Sequence, residues 1–83
     1  MGSKTFDGVW FLAYSHDHLP PHVHGFYAGI EVLVELVTGT ERLAHRTKPI
    51  RPRNAKQSDV NHVLRTATKH AAELMELWRI ING

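Results

Sequence analysis

The chain contains no cysteine. That absence excludes a disulfide framework, thiolate zinc sites and thiol catalysis, and it suits a reducing compartment. Long apolar runs are missing as well. The best of them, Ile30 to Val37, is interrupted by Glu31 and Glu35, and nothing approaches the ~20 apolar residues of a membrane helix. The opening MGSKTFDG lacks the apolar centre of a secretory signal. Phe6 stands where an N-myristoylation pattern wants Ser or Thr. The expectation is a cytoplasmic protein that does not meet a membrane.

Acidic residues are absent from one particular place. Between Arg42 and Lys56 lie six of the ten Lys and Arg (Arg42, Arg46, Lys48, Arg51, Arg53 and Lys56) and no Asp or Glu. The bland interpretation is a solvated loop spaced by Pro49 and Pro52. The sharper one is a contact surface for a polyanion, nucleic acid before others.

What is present fits one small domain: 83 residues, 42% of them hydrophobic. A chain this short buries only ~60–65% of the surface its unfolded form exposes. A ligand or a partner subunit, a second copy included, would therefore matter to its stability.

The first half alternates like a sheet. Val9 to Tyr14 predicts a strand with Val9, Phe11 and Ala13 on one face and Trp10, Leu12 and Tyr14 on the other. His22 to Tyr27 predicts a second strand, and Ala28-Gly29 a turn. Ile30 to Val37 is the clearest strand, with Ile30, Val32, Val34 and Leu36 inward and Glu31 and Glu35 solvated. A weaker strand runs from Glu41 to about Thr47. After a basic linker over about residues 48–57 the period changes. With Ser58 as N-cap, Val60, Leu64, Ala67, Ala71, Leu74, Trp78 and Ile81 recur at helical spacing. His62, Arg65 and Lys69 form a basic stripe on its polar side. The predicted fold is α+β: a three- or four-stranded antiparallel meander, about residues 7–47, covered by one long C-terminal helix over about 58–81. Trp10, Phe11 and Trp78 are assigned to the core, and His45, His62 and His70 to the surface.

Four of the seven histidines fall in one stretch, SHDHLPPHVHG, as His16, His18, His22 and His24 around Pro20-Pro21. The two prolines fix two φ angles and stiffen the connection. His22 and His24, two apart on a strand, share a face. Three chemistries compete. A metal reading uses His16, His18, His22 and His24 for zinc or another divalent ion, with Asp17 or His45 as further ligands. A proton-transfer reading needs no cofactor. A neutral imidazole takes the 2′-OH proton of a ribose, a second histidine protonates the leaving oxygen, and nearby arginines stabilise the phosphate. In that reading Tyr14 or Tyr27 supplies a hydroxyl. The third reading is structural: rings held by backbone carbonyls in a stiff turn.

The aromatic strand Phe11 to Tyr14, Ser15 followed three residues on by His18, and Pro20-Pro21-His22-Val23-His24 together resemble the signature of a small bacterial family, domain of unknown function 4160. Glu73 to Trp78 resembles that family's helical ending. The resemblance spans nearly the whole chain and implies a toxin-like half of a two-gene, toxin–antitoxin-like module with a cognate small protein partner. The shared positions are Ser15, His18, Pro20, Pro21, His22, Val23 and His24. The linker RTKPIRPRNAKQ is more basic and proline-rich than the family's usual stretch.

Combining residues and resemblance, the expected function is binding or cleavage of nucleic acid, RNA before DNA. His18, His22, His24 and Tyr14 are the catalytic candidates, and the six basic residues from Arg42 to Lys56 the phosphate contacts. The alternative is a non-catalytic binding module whose histidines are structural or hold a metal.

Overall fold

The computed structural model describes residues 2–15, 20–37, 40–43 and 50–82. Strand β1 (Gly2–Phe6) turns through Asp7-Gly8 into β2 (Val9–Ala13). Strand β3 (His22–Tyr27) turns through Ala28-Gly29 into β4 (Ile30–Val37), and β5 (Thr40–Leu43) follows. All pairs are antiparallel and the order is β1-β2-β3-β4-β5. A two-residue strand, β6 (Ile50–Arg51), also pairs with β4, alongside Glu31 and Val32. Two helices, α1 (Gln57–Lys69) and α2 (Ala71–Asn82), cover one face. Helix α1 lies over β3, β4 and β5, and α2 over β1 to β4.

The antiparallel sheet under C-terminal helices is as expected from the alternation, but strands and helices are more numerous. Strand β1 had no hydrophobic alternation to announce it; only Phe6 and Gly2 of its five residues are even partly buried. Its signal is the turn. Asp7 and Gly8 have φ of 49° and 80°, and Phe6 pairs with Val9. Positive φ at both loop residues defines the two-residue hairpin that Asp-Gly favours. Ala28 and Gly29 repeat the geometry at 50° and 81°. Strand β6 interrupts what reads as a continuous linker.

The predicted single helix breaks at His70, whose φ of −117° leaves the helical region. Two threonines precede the break. Thr66 Oγ1 donates to the His62 carbonyl at 2.7 Å and Thr68 Oγ1 to that of Leu64 at 2.9 Å. Such back-bonding competes with the main-chain ladder and bends helices. The His70 ring stacks flat on Phe6, centroids 3.8 Å apart, which holds the break against β1. Ser58 is not the cap. The helix starts one residue earlier, with Lys56 as N-cap and its carbonyl accepting from the Asp59 and Val60 N–H groups.

The core joins Val9, Phe11, Ala13, Val23, Val32, Val34 and Leu36 of the sheet to Val60, Val63, Ala67, Leu74, Leu77 and Trp78 of the helices. Gly25 permits the close approach of α1. A Cβ there would stand 2.8 Å from Val63 Cγ1 and 3.2 Å from the Phe11 ring. Trp10 is not core: it is 44% exposed on the face away from the helices.

Candidate functional site

Register decides which side chains share the face turned away from the two helices, because directly paired residues project to the same side. Trp10 pairs with Phe26, Phe26 with Glu31, and Glu31 with Arg51. Thr5 of β1 pairs with Trp10. One row, Thr5–Trp10–Phe26–Glu31–Arg51, therefore crosses five strands. The next row is Ser3–Leu12–His24–Leu33, and beyond it His22 pairs with Glu35, which also pairs with Arg42.

His24 lies in the middle of this face. Its Nδ1 stands 3.0 Å from Glu31 Oε2, diagonally across the β3–β4 pair. A carboxylate oxygen accepts, so Nδ1 carries the proton and donates. The ring's Nε2 is then left for other chemistry. The Tyr14 ring meets His24 edge-on at 4.9 Å, and His22 does so at 5.6 Å. Tyr14, just beyond β2, is 40% exposed.

His22 is of a different kind. It is 1% exposed, and its Nδ1 donates to the Pro20 carbonyl at 2.9 Å. The neighbouring Pro21 carbonyl accepts the Leu36 N–H at 2.8 Å. The double proline has no N–H to offer, yet both its carbonyls are engaged, one by a histidine ring and one by β4. This ties the loop to the sheet at the point where β3 begins.

The carboxylates of β4 are where the sequence reading missed most. Glu31, which strand alternation assigns to solvent, instead orients His24. Glu35, assigned likewise, is only 5% exposed. The signal was available. A two-residue turn at Ala28-Gly29 forces Tyr27 against Ile30, and counting back then places Glu31 diagonal to His24 and Glu35 opposite His22.

Of the catalytic candidates, His22, His24 and Tyr14 come together and His18 lies outside the described residues. Tyr27 does not join them. It pairs with Ile30 on the helix-covered face, where its ring packs 4.5 Å from His62. Of the basic candidates, Arg51, Arg53 and Lys56 are exposed, and Arg42 occupies β5. Arg46 and Lys48 lie outside the described residues. Two members of the helical stripe, His62 and Lys69, contact the β1–β2 turn, and Arg65 is exposed. His62 Nε2 donates to the Asp7 carbonyl at 2.9 Å, and Lys69 reaches the Asp7 carboxylate at 3.6 Å. His62 and His70, expected to be plain surface residues, both pack on aromatic rings.

For the metal reading, His16, His18, Asp17 and His45 lie outside the described residues. Among the described residues no group of three or more His, Asp or Glu is placed to hold an ion, and the Nδ1 atoms of both His22 and His24 already have protein acceptors. No helix among the described residues is long and apolar enough to cross a membrane.

A family model described as "Domain of unknown function (DUF4160)" matches residues 8–79. No curated protein and no solved structure matches the chain.

Proposed function

The chain belongs to the domain of unknown function family DUF4160, and on that premise we propose that it is the toxin-like component of a bacterial two-gene module, acting on single-stranded RNA through His24. The observation that carries the reading is the 3.0 Å bond from His24 Nδ1 to Glu31 Oε2. A carboxylate behind an imidazole fixes its tautomer and orientation and stabilises the imidazolium once the ring has taken a proton.

The chemistry follows from that arrangement. His24 Nε2 takes the proton of a ribose 2′-OH as its oxygen attacks phosphorus. The phosphorus–5′-oxygen bond breaks, and the leaving oxygen takes a proton from a second acid. Tyr14 is the described hydroxyl beside His24, and His18 is the histidine candidate for that step. His22 acts as a support, because its ring is buried and committed to the Pro20 carbonyl. Arg51, Arg53 and Lys56 provide exposed positive charge for phosphates. In this reading the protein acts in the cytoplasm, and the cognate small protein restrains it.

A second reading draws on His22. A histidine so thoroughly built into the turn also suits a non-catalytic module that binds nucleic acid, or the cognate protein, without cleaving anything.

The test is incubation of end-labelled single-stranded RNA with the protein, with and without chelator. Shortening that persists in chelator and falls by ~10²–10⁴ in His24→Ala is expected for a general acid–base residue. Binding without cleavage selects the second reading. Neither binding nor cleavage, at low salt and across several sequences, removes RNA as the substrate.

A further inference from the structure

Trp10 is the anomaly of the face turned away from the helices. Large aromatic side chains on a small domain are normally buried, as Trp78 is at 8% exposure. Trp10 is 44% exposed, and its ring lies 5.2 Å from that of Phe26 at 37°. This pair is neither core nor isolated. It sits in the row that ends in Arg51, and it is one row from His24. Trp10 is diagonal to His24 across the β2–β3 pair, a relation that separates Cα atoms by ~7–8 Å.

A concave surface adjoins the pair. Phe26, Tyr27, Gly29, Ile30, Glu31, Arg51 and Pro52 line a groove of about 490 Å³, within the ~300–1,000 Å³ range of small-ligand sites. Its lining combines an aromatic edge, a carboxylate acceptor and a guanidinium. Arg53 and Lys56 follow Arg51 on the exposed segment beyond it.

We infer that the Trp10–Phe26 pair is a base-stacking subsite for single-stranded nucleic acid, holding the base of a nucleotide whose phosphate lies toward His24, while the groove and Arg51 take the neighbouring nucleotide. The inference rests on the proposed action on RNA and deepens it: it names what positions the strand and why a duplex, whose bases are stacked on each other, would be refused. A flat aromatic surface accepts any unpaired base, since every base has a π-face. The charge supports nucleic acid over a protein partner. The two rings are flanked by Thr5 on one side and by Glu31 and Arg51 on the other, and the exposed Arg53 and Lys56 lie beyond the groove. A row that closes on an exposed guanidinium suits a phosphate-bearing strand better than an apolar protein surface.

The two tryptophans give the experiment its readout, because Trp78 is buried and Trp10 is not. Intrinsic fluorescence is titrated with a single-stranded RNA octamer, its duplex, and an abasic octamer that keeps the phosphates but has no bases. Wild type, Trp10→Ala, Trp10→Phe and the distant surface control Ile80→Ala are compared, with circular dichroism to check folding. The single strand is expected to quench wild type and Ile80→Ala, and to leave the residual emission of Trp10→Phe unchanged. The duplex and the abasic strand should quench neither. Affinity should fall tenfold or more in Trp10→Ala, the loss expected for removing one base–aromatic stack, with Trp10→Phe between. Should Trp10→Ala fail to fold, the Trp10→Phe and abasic arms still decide. Binding of the octamer with no quench and no loss in the Trp10 variants overturns the stacking subsite while leaving action at His24 standing. No binding by any strand overturns both. A dimer seen by sedimentation and lost in Trp10→Ala, with octamer affinity unchanged, overturns it in favour of self-association.

Discussion

His24 and Glu31 are bonded across the β3–β4 pair without being directly opposed: the register partner of His24 is Leu33, and Glu31 lies two residues along. The bond ties the imidazole to β4 and fixes its proton on Nδ1. Both side chains are partly exposed, at 14% and 20%, so the pair is accessible to a ligand while remaining shielded enough for a charge-assisted bond to count.

If the two act as a unit, their effects on RNA cleavage will not add. Glu31→Gln should lower the rate in the wild-type background and do nothing further in His24→Ala, because the carboxylate works only through the ring. The double variant should match His24→Ala alone, as is general for residues that share one catalytic role. Single-turnover rates on one RNA provide the cycle. Additive losses would mean that Glu31 contacts the substrate on its own account.

The two strand histidines should separate in a stability measurement. His22→Ala removes a ring that is 1% exposed and its bond to the Pro20 carbonyl. Cavity and lost hydrogen bond together should cost about 2–4 kcal/mol. His24→Ala, at the partly exposed face, should cost under about 1 kcal/mol. Urea unfolding followed by circular dichroism compares them directly. Equal losses would contradict the division into support and reactive residue.

That division was only half legible in the chain. The grouping of His22 with His24 followed from strand alternation, and so did the inward face of Val9, Phe11, Ala13 and of Ile30, Val32, Val34, Leu36. What alternation cannot show is depth. Trp10 and Leu12 share a face, but Leu12 is buried and Trp10 is not. Glu31 and Glu35 also share a face and differ in the same way, because burial depends on what overlies each row. The break at His70 was hidden because apolar periodicity runs through it uninterrupted. Its causes are the Thr66 and Thr68 hydroxyls bonding backward and a stack on Phe6, in a strand far away in sequence.

The turn that sets the site's register carries a local penalty that can be relieved. Ala28 sits at φ 50°, in the left-handed region where a Cβ crowds the carbonyl and where Asn is better tolerated. Ala28→Asn should stabilise the protein by about 0.5–1 kcal/mol. It should leave RNA binding unchanged, since the Tyr27–Ile30 pairing and hence the His24–Glu31 diagonal are preserved. A lower urea midpoint in Ala28→Asn would mean that the turn is held by something other than its backbone preference.

The basic segment gives the most quantitative expectation. Arg51, Arg53 and Lys56 are all exposed, and each phosphate neutralised on a single strand contributes about −0.7 to the slope of log affinity against log salt. Arg53→Gln and Lys56→Gln should each flatten that slope by about 0.7 if the residue contacts a phosphate. Arg51 is a stricter case. Its register partner is Glu31, so Arg51→Gln removes both a phosphate contact and a positive charge beside the carboxylate that orients His24. It should flatten the slope as the others do and lower the cleavage rate in addition, whereas the other two should act through affinity alone. Fluorescence titrations at several salt concentrations, paired with single-turnover cleavage at saturating protein, separate the two effects. A slope unchanged in all three variants would return the segment to a solvated loop, and the phosphate contacts would then have to come from elsewhere on the sheet.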